Sequence, residues 1–157
     1  MSRQTKYKVG AFRTLRGAGG GDHDTPIHIR LSDGDITNAW RIVSFDVSSR
    51  SAVATDDDVV GKICTEERPG TTGAGWDWGS NVEIAWASNA VNAGTIRQTM
   101  GEYIDKDAII IDDVYVYLAD ASSATELVNY MIRMERIKVD LDTGLAAVVA
   151  NKAQAGA

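Results

Sequence analysis

Acids are the commonest potentially reactive side chains in this sequence, and they come in short runs. Asp22-His23-Asp24 sets an imidazole between two carboxylates. Neighbouring residues of an extended chain point to opposite faces, so contiguity alone is not ligand geometry. Asp56-Asp57-Asp58 and Asp112-Asp113 offer oxygens of the kind calcium collects, roughly six to eight at a time. Neither follows the D-x-D-x-D-G pattern with a downstream glutamate. Solvated loop acids are the expected reading, and a calcium ion shared between chains is the alternative. His23 and His28 are the only histidines, and no nucleophile elbow or similar signature accompanies either. Gly17 to Gly21 is glycine-rich but lacks the preceding strand, following helix and Lys-Ser/Thr of a phosphate loop. No catalytic residue, metal or cofactor is expected, and the chain does not read as an enzyme.

Two further clusters need weighing. Asp142-Thr143-Gly144 is the tripeptide that bears the catalytic aspartate in retroviral-type aspartic proteases, where paired carboxylates share one proton. There the motif is followed by a flap and a second strand pair, whereas here only 13 residues follow Gly144, mostly alanine and valine. A turn closing a strand is the better reading. Trp76-Asp77-Trp78 lies in the long glycine-rich stretch Glu66 to Gly79, and loops of such length within a compact domain are commonly functional or disordered. Aromatic faces beside a carboxylate suit stacking on sugar rings while the acid takes hydroxyls. The alternative is that the tryptophans plug the edge of the fold or a subunit contact.

Charge is distributed unevenly. The net charge is −6, yet the first 21 residues hold Arg3, Lys6, Lys8, Arg13 and Arg16 and no acid, so all 22 acids lie in the remaining 136 residues. A basic arm on an acidic body points to nucleic acid, membrane headgroups or another acidic surface as the arm's partner, the alternative being a solvated terminus whose charge aids solubility. Binding of that kind is salt-dependent and blind to base sequence. Four glycines among Gly17 to Gly21 predict a hinge at the arm's end, because each loses much backbone entropy on ordering. The single cysteine, Cys64, excludes an internal disulfide framework and is expected to be a small buried hydrophobe. No apolar run approaches the roughly 18 residues of a membrane span and no signal-like leader is evident, so a soluble protein made in a cytoplasm and free of membrane is expected.

The elements that must carry these groups read as strands. Ile27–Leu31 alternates, Trp40–Val47 is expected to set Val43, Phe45 and Val47 on one face, and Val59–Thr65 is a third strand interrupted by Gly61. Asn81–Ala87 alternates through Val82, Ile84 and Trp86, while Thr95–Met100 suggests a short helical turn. From Ala108 to Val139 the chain is expected to form two long neighbouring strands at the centre of the domain. In the second, Val128, Tyr130, Ile132 and Met134 share a face. Leu127, Met131, Met134 and Lys138 also fit a helical spacing with Thr125 as cap; the strand reading is preferred. Asp140 to Gly144 reads as a closing turn, and the alanine-rich tail as a short helix or extended arm.

At 157 residues the chain is one domain. The predicted organisation is a basic arm over 1–21, a β-sandwich over 22–144 and a tail over 145–157. Many strands separated by turn signals predict an all-β, jelly-roll-like antiparallel β-sandwich with a flexible N-terminal arm. This order of basic arm, glycine hinge and strand-built body resembles the small single-jelly-roll viral coat proteins. The resemblance is architectural and covers the chain loosely. It implies a virion structural protein, a capsid or capsid-associated subunit that forms homo-oligomers, meets other virion proteins and assembles in the host cytoplasm. It implies too that Arg3, Lys6, Lys8, Arg13 and Arg16 contact the packaged nucleic acid or a neighbouring subunit. The alternative function is a carbohydrate-binding module using Trp76, Asp77 and Trp78.

Overall fold

A computed structural model describes residues 8–22, 25–50, 57–67, 75–92, 97–121 and 127–152. Among them the chain forms β1 (Phe12–Gly20), β2 (Ile27–Ile29), β3 (Asn38–Ser49), β4 (Asp57–Cys64), β5 (Glu83–Asn92), β6 (Arg97–Ile104), β7 (Val114–Asp120), β8 (Leu127–Lys138) and one helix, α1 (Leu141–Lys152). The strands lie in two antiparallel sheets, ordered β1-β8-β3 and β2-β7-β4-β5-β6. The first strand pairs with the last, the second with the second-last and the fourth with the fifth. These three pairings are shared with a jelly roll, but no ladder among the described residues joins the third strand to the sixth, because β6 pairs with β5 in the other sheet. The expected all-β sandwich is present.

Alternation explains why the sheets stack. On β8, Val128, Ile132 and Met134 are fully buried, and Tyr130 is half-buried on the same side. They meet Val59 and Ile63 of β4, Ala85 and Ala87 of β5 and Val114, Val116 and Leu118 of β7 in one core. The strand reading of Leu127–Lys138 holds against its helical rival. The expectation that β7 and β8 are hydrogen-bonded neighbours does not: each lies in the interior of its own sheet, facing the other across the core. Both are apolar because both are central. Of the isoleucine run only Ile110 reaches a ladder, through a bridge to Trp40.

The outward edge of β3 is closed by the second sheet. Trp40 exchanges both backbone hydrogen bonds with Ile110, at 2.7 and 2.8 Å. The Phe45 N–H donates to Glu102 of β6 at 3.0 Å, and Asn89 of β5 donates to the Val47 carbonyl at 3.1 Å. A register shift between Ile42 and Ser44 marks a bulge at Val43. It breaks the expected Val43-Phe45-Val47 face: Ile42, Phe45 and Val47 are buried, and Val43 turns outward.

Several other expectations are corrected. The glycine hinge is strand: β1 pairs with β8 from Phe12↔Glu135 to Gly20↔Leu127. Its glycines serve close approach. A Cβ at Gly17 would lie 2.8 Å from the Tyr130 hydroxyl, and one at Gly19 would lie 2.6 Å from Ile27 Cδ1. The arm boundary at residue 21 thus falls within the fold. Within the expected helical turn Thr95–Met100, residues 97–100 are strand instead, since β6 starts at Arg97 and pairs with β5, while Thr95 and Ile96 lie outside the described residues. Asp140 to Gly144 opens α1 rather than closing the domain: Asp140 accepts the Thr143 N–H at 2.6 Å, a helix cap. The boundary placed at 144 therefore cuts a helix.

Two acid contacts fasten the ends of the sandwich. Arg136, buried over the Trp40 ring, donates to Asp33 at 2.6 Å. Asp113 binds His28 at 2.7 Å and accepts the Leu31 N–H at 3.1 Å, with the His28 ring stacked on Tyr115. Burial pushes both carboxyls up, but the Asp35 N–H and Arg136 at Asp33, and His28 with the Leu31 and Ser32 N–H groups at Asp113, outweigh it and leave both below their ordinary value. A lowered folded value contributes stability above the unfolded one, and that contribution is lost as pH falls through the folded value. The thermal midpoint should accordingly drop on acidification below about pH 4. In the Asp33→Asn/Asp113→Asn double variant that acid limb should be shallower; an unchanged limb would remove these groups from the account. Separately, Ile132→Asp should give no folded protein, because an unpaired buried charge costs several kcal/mol, on the order of a domain's whole stability. A cooperative unfolding transition in that variant would contradict the placement of the core.

Candidate functional site

Register aligns Tyr117, Lys62, Trp86 and Tyr103 in one row across β7, β4, β5 and β6, on the face of the five-stranded sheet away from the core. Residues 75–80 roof this row. Beneath the roof, Lys62 and Glu83 are both fully buried, with Lys62 Nζ 3.3 Å from Glu83 Oε1. The ammonium also donates to the Gly75 carbonyl at 3.0 Å and lies 5.8 Å from the centre of the Tyr117 ring. The same Glu83 oxygen accepts the Asp77 N–H and the Trp86 indole N–H, each at 3.3 Å. One buried carboxylate thereby fixes the backbone of the roof to the sheet.

That fixed point sets how the tryptophans lie. Asp77 Oδ1 accepts the Gly79 N–H at 3.0 Å and the Asp77 carbonyl accepts the Ser80 N–H at 3.1 Å, so the chain turns sharply around Trp78. Trp78 is left 62 % exposed, with its ring centre 5.2 Å from that of Tyr103, itself 50 % exposed, and 6.0 Å from that of Trp86. Trp76 packs edge-on to Tyr103 at 6.1 Å, and its buried Nε1 has no hydrogen-bond partner among the described residues. The result is an open aromatic shelf on a rigid base, able to cover a flat apolar face of a sugar ring or a neighbouring protein.

The basic residues are not gathered in the same way. Arg3 and Lys6 lie outside the described residues. Lys8 is exposed in the turn before β1. Arg13 pairs in register with buried Met134 and Arg16 with exposed Met131, so the two point to opposite faces of the sheet. Arg16 borders a cleft of about 620 Å³ with Asp46, Asn89, Met100, Tyr130 and Met131. On the outer face of the three-stranded sheet Arg41 pairs with Glu135 at 3.4 Å and Arg133 covers the Phe12 ring at 4.7 Å. This face carries mixed charge.

The acid runs have structural partners. Asp22 accepts the Thr25 N–H, Ser49 Oγ donates to the buried Asp57 carboxylate, and Asp113 holds His28. His23, Asp24 and Asp56 lie outside the described residues. Among the described residues no three His, Cys, Asp or Glu side chains gather as a metal site, and no helix is long and apolar enough to cross a membrane. Cys64 is buried.

Sequence reasoning singled out Trp76, Asp77 and Trp78 but missed Lys62, Glu83, Trp86 and Tyr103. The expected face Val82-Ile84-Trp86 assumed unbroken alternation. The register slips where Ile63 pairs with Ala85 and Cys64 with Glu83. Ile84 enters the main core while Glu83 and Trp86 come to the same outer side. A lysine in the middle of an apolar strand, VVGKIC, was the available signal, since a buried lysine needs a carboxylate.

No model of a known protein family matches the chain, and a search of curated proteins finds no match.

Removing one member of a fully buried ion pair leaves the other uncompensated, at a cost of about 3–5 kcal/mol. Lys62→Met should therefore lower unfolding free energy by about that amount and release Trp78, seen as a red shift of tryptophan emission. The double variant Lys62→Met/Glu83→Leu should regain much of the loss. Additive losses in denaturant titrations would show that the two side chains do not act as a pair.

Proposed function

We propose that the chain is a structural subunit of a viral particle, a capsid or capsid-associated protein that self-assembles through its sandwich and terminal segments. The observation that supports this most is apolar surface left uncovered on separate parts of one folded chain. Trp78 and Tyr103 form the shelf, Met100 and Met131 flank the cleft, and Leu141, Leu145 and Val149 line α1. Single exposed hydrophobes are ordinary, whereas groups of them mark contacts. In the described ladders β1, β2 and β6 each pair on one side only, and such edges invite pairing.

Jelly rolls serve both viral capsids and lectins, so fold alone does not choose between them. Distribution favours assembly: a sugar-binding module needs one open aromatic shelf, and this chain has apolar groups elsewhere too. In this reading Arg3 and Lys6, ahead of β1, with Lys8 and Arg16, meet nucleic acid or a neighbouring subunit. Arg13 acts at the edge of the sandwich. Other virion proteins are further partners, and assembly takes place in the host cytoplasm.

A second reading, a carbohydrate-binding module, is favoured by the Trp78–Tyr103 shelf and the buried carboxylate that stiffens it. Light scattering after size exclusion, with electron micrographs of the same fractions, separates the two. Assembly predicts large regular particles at micromolar protein, reduced or empty of nucleic acid when residues 2–7 are removed. A chain that stays monomeric at every concentration and salt, with tryptophan emission that shifts on adding oligosaccharides and not in Trp78→Ala, would replace the first reading with the second.

A further inference from the structure

The outer face of the three-stranded sheet carries two opposite charges that form no ion pair among the described residues. Arg16 of β1 and Asp46 of β3 both stand in register with Met131 of β8, so the three make one row across the sheet. Their backbones lie two strands apart, roughly 9–10 Å, and neither side chain reaches a partner of its own. All three line the cleft of about 620 Å³. Its floor continues in the next row of the same face, where Asn129 Nδ2 donates to Ser48 Oγ at 3.4 Å. The cleft is uneven. On the β3 side it is walled by Met100, 58 % exposed, because β5 and β6 run along the β3 edge, where Asn89 and Glu102 bond its backbone. On the β1 side it is open, since β1 pairs only with β8 in the described ladders. Met131 lies between, 45 % exposed.

We infer that this row is the centre of a two-fold contact, in which the outer face of the three-stranded sheet packs on the same face of a second copy about an axis running along β8 near Met131. The inference rests on the self-assembly reading and names a surface for it. Rotation about that axis keeps β8 over β8 and exchanges the β1 and β3 sides. Arg16 of each copy then stands over Asp46 of the other, twice, with the two Met131 side chains between. A two-fold running across the strands would set Arg16 on Arg16 and Asp46 on Asp46. Charge therefore selects one of the two axes in the plane of the face, and opposite charges on either side of an apolar centre are what a self-matching patch requires. Shape agrees with charge. The same rotation carries the Met100 wall of each copy over the open β1 side of the other. The remaining charges of the central strand lean off the axis, Arg133 over Phe12 of β1 and Glu135 toward Arg41 of β3. Sheets stacked in this way lie about 10 Å apart, a gap that arginine and methionine side chains fill. Three strands about 14 Å wide in all and about 30 Å long offer roughly 400 Å² per copy. That is about half of what each partner gives to a standard interface, so the contact acts as one of several within a larger assembly.

The test is sedimentation velocity of the full chain, treated with nuclease, over a concentration series. Far-UV circular dichroism and thermal midpoints confirm that each variant folds; all three side chains are exposed, so the substitutions leave the core intact. Met131→Glu is expected to raise the concentration for half-assembly by about tenfold, the loss of one central contact. Arg16→Asp and Asp46→Arg should each weaken assembly. An equimolar mixture of these two single variants should assemble more readily than either alone, because each supplies the charges the other lacks. The double exchange Arg16→Asp/Asp46→Arg should return toward the wild-type value. If the wild type assembles and Met131→Glu assembles equally well, or if the mixture and the double exchange are no better than the singles, this contact is wrong while self-assembly stands. A wild-type chain that remains monomeric at every concentration overturns both.

Discussion

The buried stripe Val128–Ile132–Met134 on β8 is the constraint on which the rest of the molecule depends. A strand has two faces and two edges. With one face of β8 in the core, β1 and β3 take both of its edges, and a second sheet must lie over its apolar side. The second sheet answers with its own apolar central strand, β7, and with small residues, Ala85 and Ala87, where β5 crosses the core. Closing the sandwich then requires only that the exposed edge of β3 be satisfied. Glu102 and Asn89 do this by reaching from the second sheet, and Ile110 by pairing directly with Trp40. A buried N–H or C=O left without a partner would cost on the order of 1–3 kcal/mol each.

Not everything that faces outward is released from holding the fold. The Lys62–Glu83 pair sits on the outer side of the five-stranded sheet and is fully buried because the 75–80 roof covers it. Its energetic value lies less in the ion pair, which hydrophobic residues would match, than in what Glu83 organises. Three donors converge on one oxygen, and the loop cannot lift without stranding them. An otherwise glycine-rich segment thus becomes a rigid support for Trp78. The same logic places helix α1: a glycine lets it approach the 36 carbonyl closely, and Leu141, Leu145 and Val149 are left exposed on its far side.

Strand existence was legible because the signal is local. Ile27–Ile29, the β8 alternation and the β7 apolar run all follow from side-chain types two residues apart. What was not legible came from events that reset the phase. The Val43 bulge and the slip opposite Ile84 each moved a hydrophobe to the other face, and no composition rule marks either. The glycines of β1 misled for a related reason: an entropy argument predicts a hinge, whereas Tyr130 and Ile27 require the absence of a Cβ. Pairing between distant segments was invisible too, so two apolar strands adjacent in sequence were expected side by side when they belong to different sheets. Of the candidate site, the exposed tryptophans announced themselves in WDW. Their anchor did not, since Lys62 and Glu83 lie 21 positions apart and meet only through the β4–β5 ladder.

On the proposed self-assembly, the apolar groups facing away from the core are covered by other copies of the chain. Hydrogen exchange read by mass spectrometry, on the same protein at nanomolar and at high micromolar concentration, addresses it most directly. Amides in 75–80, in β6 and in α1 should exchange more slowly at the higher concentration, while those of β7 and β8, already inside the sandwich, stay unchanged. Identical exchange in all of these segments at both concentrations would contradict the account.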